Sequence, residues 1–233
     1  MLTTLFGSCR IISFASLLKC TSINEDVSYV HSTKEVLQLI KVLKGWEVLN
    51  PDMYQYAFRA GILKKGPIEI SQKIIGQFDS TELFIIEICS MKKYRYNGTY
   101  LHHLSVDSKW GRDFWKSTPA SILSKVTVEE QTKEEIESDI VEILNILSGK
   151  EIIFITHILP NNDKLSKRKY LINLITNICK DRGIDLISPT ECLTENLLSE
   201  DLGHYNPEMV HSTLIPYFRK KLIEIGLSDA LIR

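Results

Sequence analysis

Leu2 to Phe6 is a short run of apolar and β-branched residues that stops at Gly7, and Ile11 to Leu18 then reads as an apolar helix. Val27 to Val30 is a second short strand candidate. It is closed by His31-Ser32-Thr33, where a hydroxyl can cap a helix carrying Val36, Leu39, Ile40 and Leu43 on one face. Helical pieces around Tyr54 to Gly61 and Glu69 to Phe78 are separated by the Lys64-Lys65-Gly66-Pro67 breaker. Leu83 to Cys89 is nearly all apolar, as a strand buried on both faces of a parallel sheet must be. Asn97-Gly98, with aromatic residues on both sides, predicts a tight hairpin within Tyr94 to Leu104.

Trp110 to Gln131 shows no clear period, whereas Glu134 to Leu147 places Ile136, Ile140, Ile143, Leu144 and Leu147 on one helical stripe. Glu151 to Thr156 predicts a strand, Lys164 to Lys180 a helix, and Asp185 to Ser188 a short strand. A last helix starts near Pro207 and carries Val210, Leu214, Tyr217, Phe218 and Leu222. Five strands alternating with helices predict an α/β fold of the three-layer α/β/α, flavodoxin-like kind: a parallel five-stranded sheet with right-handed crossovers. The economical organisation is one domain over residues 1–233, with the hairpin-bearing stretch of about 92–131 as an insertion.

Composition narrows the classes of partner. Twenty-eight basic and twenty-nine acidic residues give a formal charge of -1, so no global field favours nucleic acid. Five cysteines without a Cys-x-x-Cys pair fit a reduced, cytoplasmic setting better than a disulfide framework. The apolar start lacks a basic n-region and is interrupted by Arg10, so strand and helix are expected there rather than a leader. No stretch reaches the roughly 18 to 20 consecutive apolar residues of a membrane span.

In parallel sheets ligands bind beyond the carboxyl ends of the strands. Gly7-Ser8-Cys9-Arg10, His31-Ser32, Ser90 and Thr156-His157 stand at those ends, and Asp201-Leu202-Gly203-His204 stands just before the last helix. Ser8 and Cys9 are both candidate nucleophiles on a strand-to-helix turn. His204 held by Asp201 can serve as base and orienter. Structural roles compete at each position: Ser8 suits a helix cap, Cys9 a buried core thiol, and Asp201 a turn.

The layout resembles the SGNH, or GDSL-like, hydrolase superfamily, in which a Gly-Asp-Ser turn after the first strand and a late Asp-x-x-His share one site. Gly7-Ser8-Cys9 is most similar to the GSCFA-like and capsule-biosynthesis acyltransferase-like branches, which puts Cys9 at the nucleophile position and Ser8 second. The resemblance implies an esterase or O-acyltransferase acting on a glycan or another acylated small molecule. It implies catalysis by Cys9 or Ser8 with His204 and Asp201, and no cofactor beyond an acyl-CoA donor if the enzyme is a transferase. Oxyanion or substrate contacts would come from the backbone N–H groups of Cys9 and Arg10, with Ser32, Ser90, His31 and His157 at the pocket. The family's Gly-x-Asn-Asp block has no counterpart, since Glu87-Ile88-Cys89-Ser90 stands in its place. An inactive module of the same fold, kept to bind a glycan or a protein, is the competing function.

His102-His103 on a strand would point apart, so no metal site is expected. Tyr94, Tyr96, Tyr100, Trp110, Phe114 and Trp115 lie among Lys92, Lys93, Arg95, Lys109 and Arg112, a mixture suited to stacking on sugar or to packing a hairpin on the core. Glu129-Glu130 and Lys133-Glu134-Glu135 read as a solvated helix start.

Overall fold

Leu83–Ile88 is buried at every position, the condition of a strand with layers on both faces. The computed structural model describes residues 1–20, 28–64, 69–109, 114–159, 166–192 and 204–232. Its strands are β1 (Thr3–Phe6), β2 (Leu83–Ile88), β3 (Lys92–Tyr96), β4 (Thr99–Tyr100), β5 (Thr127–Glu130), β6 (Glu151–Thr156) and β7 (Asp185–Ile187). The chain divides into two compact units. One comprises Met1–Thr21, Ser80–Ser90 and Gly149–Arg233, the other Ser22–Asp79 and Met91–Ser148.

The first unit carries a parallel sheet in the order β1-β2-β6-β7. Leu5, Leu83, Ile85, Ile153, Ile155 and Ile187 form one of its faces and pack with the 3-10 helix Ile11–Leu17 and the C-terminal helix, Ile215–Glu224. At that contact Phe14 and Phe218 stack with centroids 4.1 Å apart. The Ser166–Arg182 helix contacts β6 and β7, and its buried residues lie outside this cluster, so helices cover both faces. The expected three-layer α/β/α architecture is present.

Several details differ from expectation. Four parallel strands are described where five were expected: Val27 lies outside the described residues, and Ser28–Val30 belong to none of the named strands. The apolar segment after the first turn is a 3-10 rather than an α-helix. The last helix divides into Pro207–Met209, a π-helical turn Val210–Leu214, and Ile215–Glu224. Pro216 has no N–H to give, and a wider turn ahead of it accommodates the missing bond.

The second unit holds an antiparallel sheet, β4-β3-β5, beside the helices Thr33–Leu43 and Lys133–Ile146, which pack on each other. Asn97 (φ 48°) and Gly98 (φ 85°) make the predicted hairpin turn between β3 and β4. β5 was not foreseen. Glu129 and Glu130 belong to it rather than to a helix start, and they face Lys93 and Lys92 across the ladder. The helix itself begins with a capping box of Thr132 and Glu135. Between the two helices Asp139, 2% exposed, accepts from Thr33 Oγ1 (2.7 Å), Lys34 Nζ (2.7 Å) and Gln131 Nε2 (3.0 Å).

Candidate active site

At the carboxyl end of β1 the chain passes directly over β2. A Cβ at Gly7 would stand 2.7 Å from Glu87 Cβ, so only glycine allows this approach. Glu87, 2% exposed on β2, is the organising group. Its Oε2 accepts the Ser8 N–H (2.9 Å) and the Ser8 hydroxyl (2.5 Å), and its Oε1 accepts Arg10 Nε–H (3.1 Å). Burial alone would raise the Glu87 pKa. The Arg10 charge and the Ser8 hydrogen bonds outweigh burial and hold it below the ordinary value. Arg10, itself buried, stays firmly protonated: desolvation is the largest single effect, and Glu87, with smaller contributions from Cys89 and Tyr205, outweighs it.

Cys9 sits between these two buried residues and is exposed. Ser8 is fixed by the carboxylate, and its Oγ also accepts the Arg10 N–H at 3.3 Å. The Ser8 carbonyl starts the following 3-10 helix by accepting from Ile11 N–H (3.1 Å). The turn is therefore pinned on both sides of the thiol by one buried ion pair.

Tyr205 belongs to the same cluster. This side chain is buried, its ring meets Phe14 edge-on at 6.4 Å, and burial with the Glu87 charge pushes its hydroxyl pKa up. His204, one residue earlier, is exposed, and Asp201 lies outside the described residues. Arg168 is half-buried, its pKa lowered by burial and by the Arg10 charge, and it donates to the Ile158 carbonyl (3.3 Å). His157 is buried just beyond β6 with Nδ1 3.0 Å from the same carbonyl. Ser90 is half-buried past the end of β2.

His31 and Ser32 belong to the second unit. Ser32 caps the Thr33–Leu43 helix, accepting from Glu35 N–H (3.3 Å) and donating to Glu35 Oε1 (3.2 Å). Burial raises the Glu35 carboxyl to about 7, against the lowering effects of His103 and the Ser32 hydroxyl. His102 and His103 are not on a strand: His102 is the N-cap of the short helix His103–Val106. Their rings stack at 4.5 Å, and His31 lies edge-on to them at 5.0 and 4.3 Å. Burial, followed by neighbouring histidines, keeps both rings neutral, with His102 well below the ordinary range and His103 lowered to about 3. Of the aromatic group near the hairpin, Tyr94 is buried in a small core with Leu101 and Ile122 and donates to Asp107 (2.7 Å), while Trp110 and Arg112 lie outside the described residues.

The family model of the TviD N-terminal domain matches residues 1–119 and 104–213, two overlapping segments that span most of the chain. The chain belongs to the TviD N-terminal domain family. The matched range of this TviD N-terminal domain takes in the Gly7–Arg10 turn, Glu87, Arg168 and His204, and it stops short of the Ile215–Glu224 helix. No curated protein matches it. Solved structures similar to it include a lipase/acylhydrolase from Enterococcus faecalis, at 11% identity over 99% of this chain and 97% of that one, with a TM-score of 0.44. TesA is similar at 12% identity over 97% of this chain and 99% of that one, with a TM-score of 0.40.

Sequence reasoning missed Glu87, Tyr205 and Arg168 as members of the site. Glu87 did leave a signal: it is the lone charge in the run Leu83 to Cys89, and a carboxylate in a strand buried on both faces needs a cation and donors. Tyr205 and Arg168 left none, since a tyrosine beside a histidine and an arginine in a helix are unremarkable until the fold gathers them.

Proposed function

We propose that this chain is an acyl-ester hydrolase or O-acyltransferase acting on a glycan or another acylated small molecule, with Cys9 as nucleophile, His204 as base and Asp201 as its orienter. One observation carries the proposal: an exposed thiol on a strand-to-helix turn whose neighbours on both sides are locked by the buried Glu87–Arg10 pair. Such a turn holds a reacting atom in place at no entropic cost during the reaction. Cys9 is favoured over Ser8 because the Ser8 proton is engaged by a carboxylate. An alkoxide there would form 2.5 Å from a negative oxygen.

His204 takes the thiol proton as sulfur attacks the acyl carbonyl carbon, and the carbonyl electron pair moves to oxygen. Collapse of that oxyanion expels the alcohol, protonated by His204, and leaves a thioester on Cys9. Water or a sugar hydroxyl, deprotonated by His204, then attacks the thioester and restores the thiol. The Arg10 N–H is directed to Ser8 Oγ, so the backbone N–H assigned to the developing charge is that of Cys9. Tyr205, set in the Glu87 environment, adjoins His204 in the chain.

Hydrolysis of a chromogenic acetyl ester by wild type, Cys9→Ala, Ser8→Ala and His204→Ala tests this. Cys9→Ala should fall to background and His204→Ala by about 10²- to 10⁴-fold. Ser8→Ala should keep the reaction at a reduced level. Retention by Cys9→Ala with loss in Ser8→Ala would make serine the nucleophile. Uniform inertness of folded wild type and variants would favour the binding-module function.

A further inference from the structure

We propose that His31, His102 and His103 form a binding site for a divalent transition-metal cation of the zinc class. The three residues come from two places, the residue before the capped helix Thr33–Leu43 and the N-terminus of the short helix His103–Val106, and all lie in the second unit. One ring nitrogen from each can be chosen so that all three lie within 4.8 Å of one another. Three nitrogens bound to zinc at about 2.0–2.1 Å stand roughly 3.3–3.4 Å apart in tetrahedral geometry, so modest ring rotations close the set.

Glu35 borders His31, and the Leu104 N–H meets the His102 ring. His31 N–H donates to Glu35 Oε2 at 3.2 Å, and the ring's Nδ1 stands 3.6 Å from that same oxygen. The Glu35 carboxylate lies on the Nδ1 side of the ring, where a small rotation would let Nδ1–H donate to it and leave Nε2 as the lone-pair donor. Glu35 is in turn fixed by Ser32. His102 is 1% exposed and is anchored at Nδ1 by the Leu104 N–H (3.2 Å). Its Nε2 is buried, with no hydrogen-bond partner among the described residues. A buried ring nitrogen without a partner is costly, and a ligand facing it removes that cost. Ligation through Nε2 moves the His102 ring proton to Nδ1 and releases the long Leu104 contact.

The donor set selects the cation. Neutral imidazoles suit zinc, cobalt, nickel or copper, and do not suit calcium or magnesium, which take oxygen ligands. Three protein ligands leave a fourth position for water.

The test uses the full tag-free chain, stripped with chelator and desalted. Calorimetric titration with Zn²⁺ should give one equivalent, and Co²⁺ should produce visible d–d absorption without a near-ultraviolet thiolate band. His31→Ala and His103→Ala should each weaken Zn²⁺ by about tenfold or more, with His103→Gln as the volume-conserving companion and circular dichroism confirming the fold. In wild type, long-range ¹H–¹⁵N spectra should show Zn²⁺ shifting the ring nitrogens of these three histidines and the Leu104 amide. Unchanged affinity in the folded variants, a cobalt–thiolate band, or ring nitrogens that do not respond to Zn²⁺ would each overturn the site. None of these readouts involves ester turnover, so they stand or fall apart from the acyl-transfer proposal.

Discussion

Gly7, Glu87 and Arg10 show how single positions are constrained by what lies beneath them. Gly7→Ala drives a methyl to within 2.7 Å of Glu87 Cβ, and overpacking of this kind costs about 1–3 kcal/mol. Urea unfolding should show that loss, with ester turnover falling alongside it. Glu87→Gln leaves Arg10 as a buried guanidinium without its counter-charge, a loss of about 3–5 kcal/mol by the same measurement. The pH dependence has a definite sign. Because the folded Glu87 pKa lies below its ordinary value near 4.5, its contribution is complete above that value and disappears as pH falls through the folded value. Wild type should therefore lose stability on the acid side of about pH 4.5 more steeply than Glu87→Gln, as denaturant midpoints at pH 7, 5, 4 and 3 would show. The turn itself was legible, since a glycine closing an apolar run marks it. Its clamp was not, because Arg10 and Glu87 are separated by 77 positions and only the pairing of β1 with β2 joins them.

Elements were legible in proportion to their burial. β2, β6 and the Lys133–Ile146 helix carry continuous or 3.6-period apolar patterns, and the structure places them where those patterns do. β5 is exposed at all four residues, so nothing in its hydrophobic pattern marks it, and its partner is chosen by backbone bonds and by Glu129 and Glu130 opposite Lys93 and Lys92. The strand placement of His102 and His103 failed for a related reason: the hairpin ends two residues earlier, at Tyr100, and the imidazole of His102 starts a helical turn instead. At the head of the Lys133–Ile146 helix, Thr132→Ala removes the bond to Glu135 N–H and should lower stability by about 1 kcal/mol, read as a shift in urea midpoint with unchanged slope.

For the whole molecule, the near balance of charge has a direct consequence. With a formal charge of -1 and an isoelectric point of about 6.6, repulsion between copies is weakest close to neutrality. Solubility measured at low salt across pH 5 to 9 should pass through a minimum near pH 6.6. No helix among the described residues is long and apolar enough to cross a membrane. The parallel α/β class could be read from alternation alone, but the grouping of 22–79 with 91–148 follows no shift of composition, because contact rather than sequence adjacency assembles that unit. In the first unit, Thr3 N–H donates to the Lys19 carbonyl, Lys19 N–H to Ala230, and Ile232 N–H to Leu17. The outer margin of β1 is thus met by Lys19, and the stretch 17–19 is met in turn by residues 230–232. During synthesis the outer side of that stretch must wait, unsealed, until residues 230–232 have been made, an interval in which a chaperone can occupy its open edge.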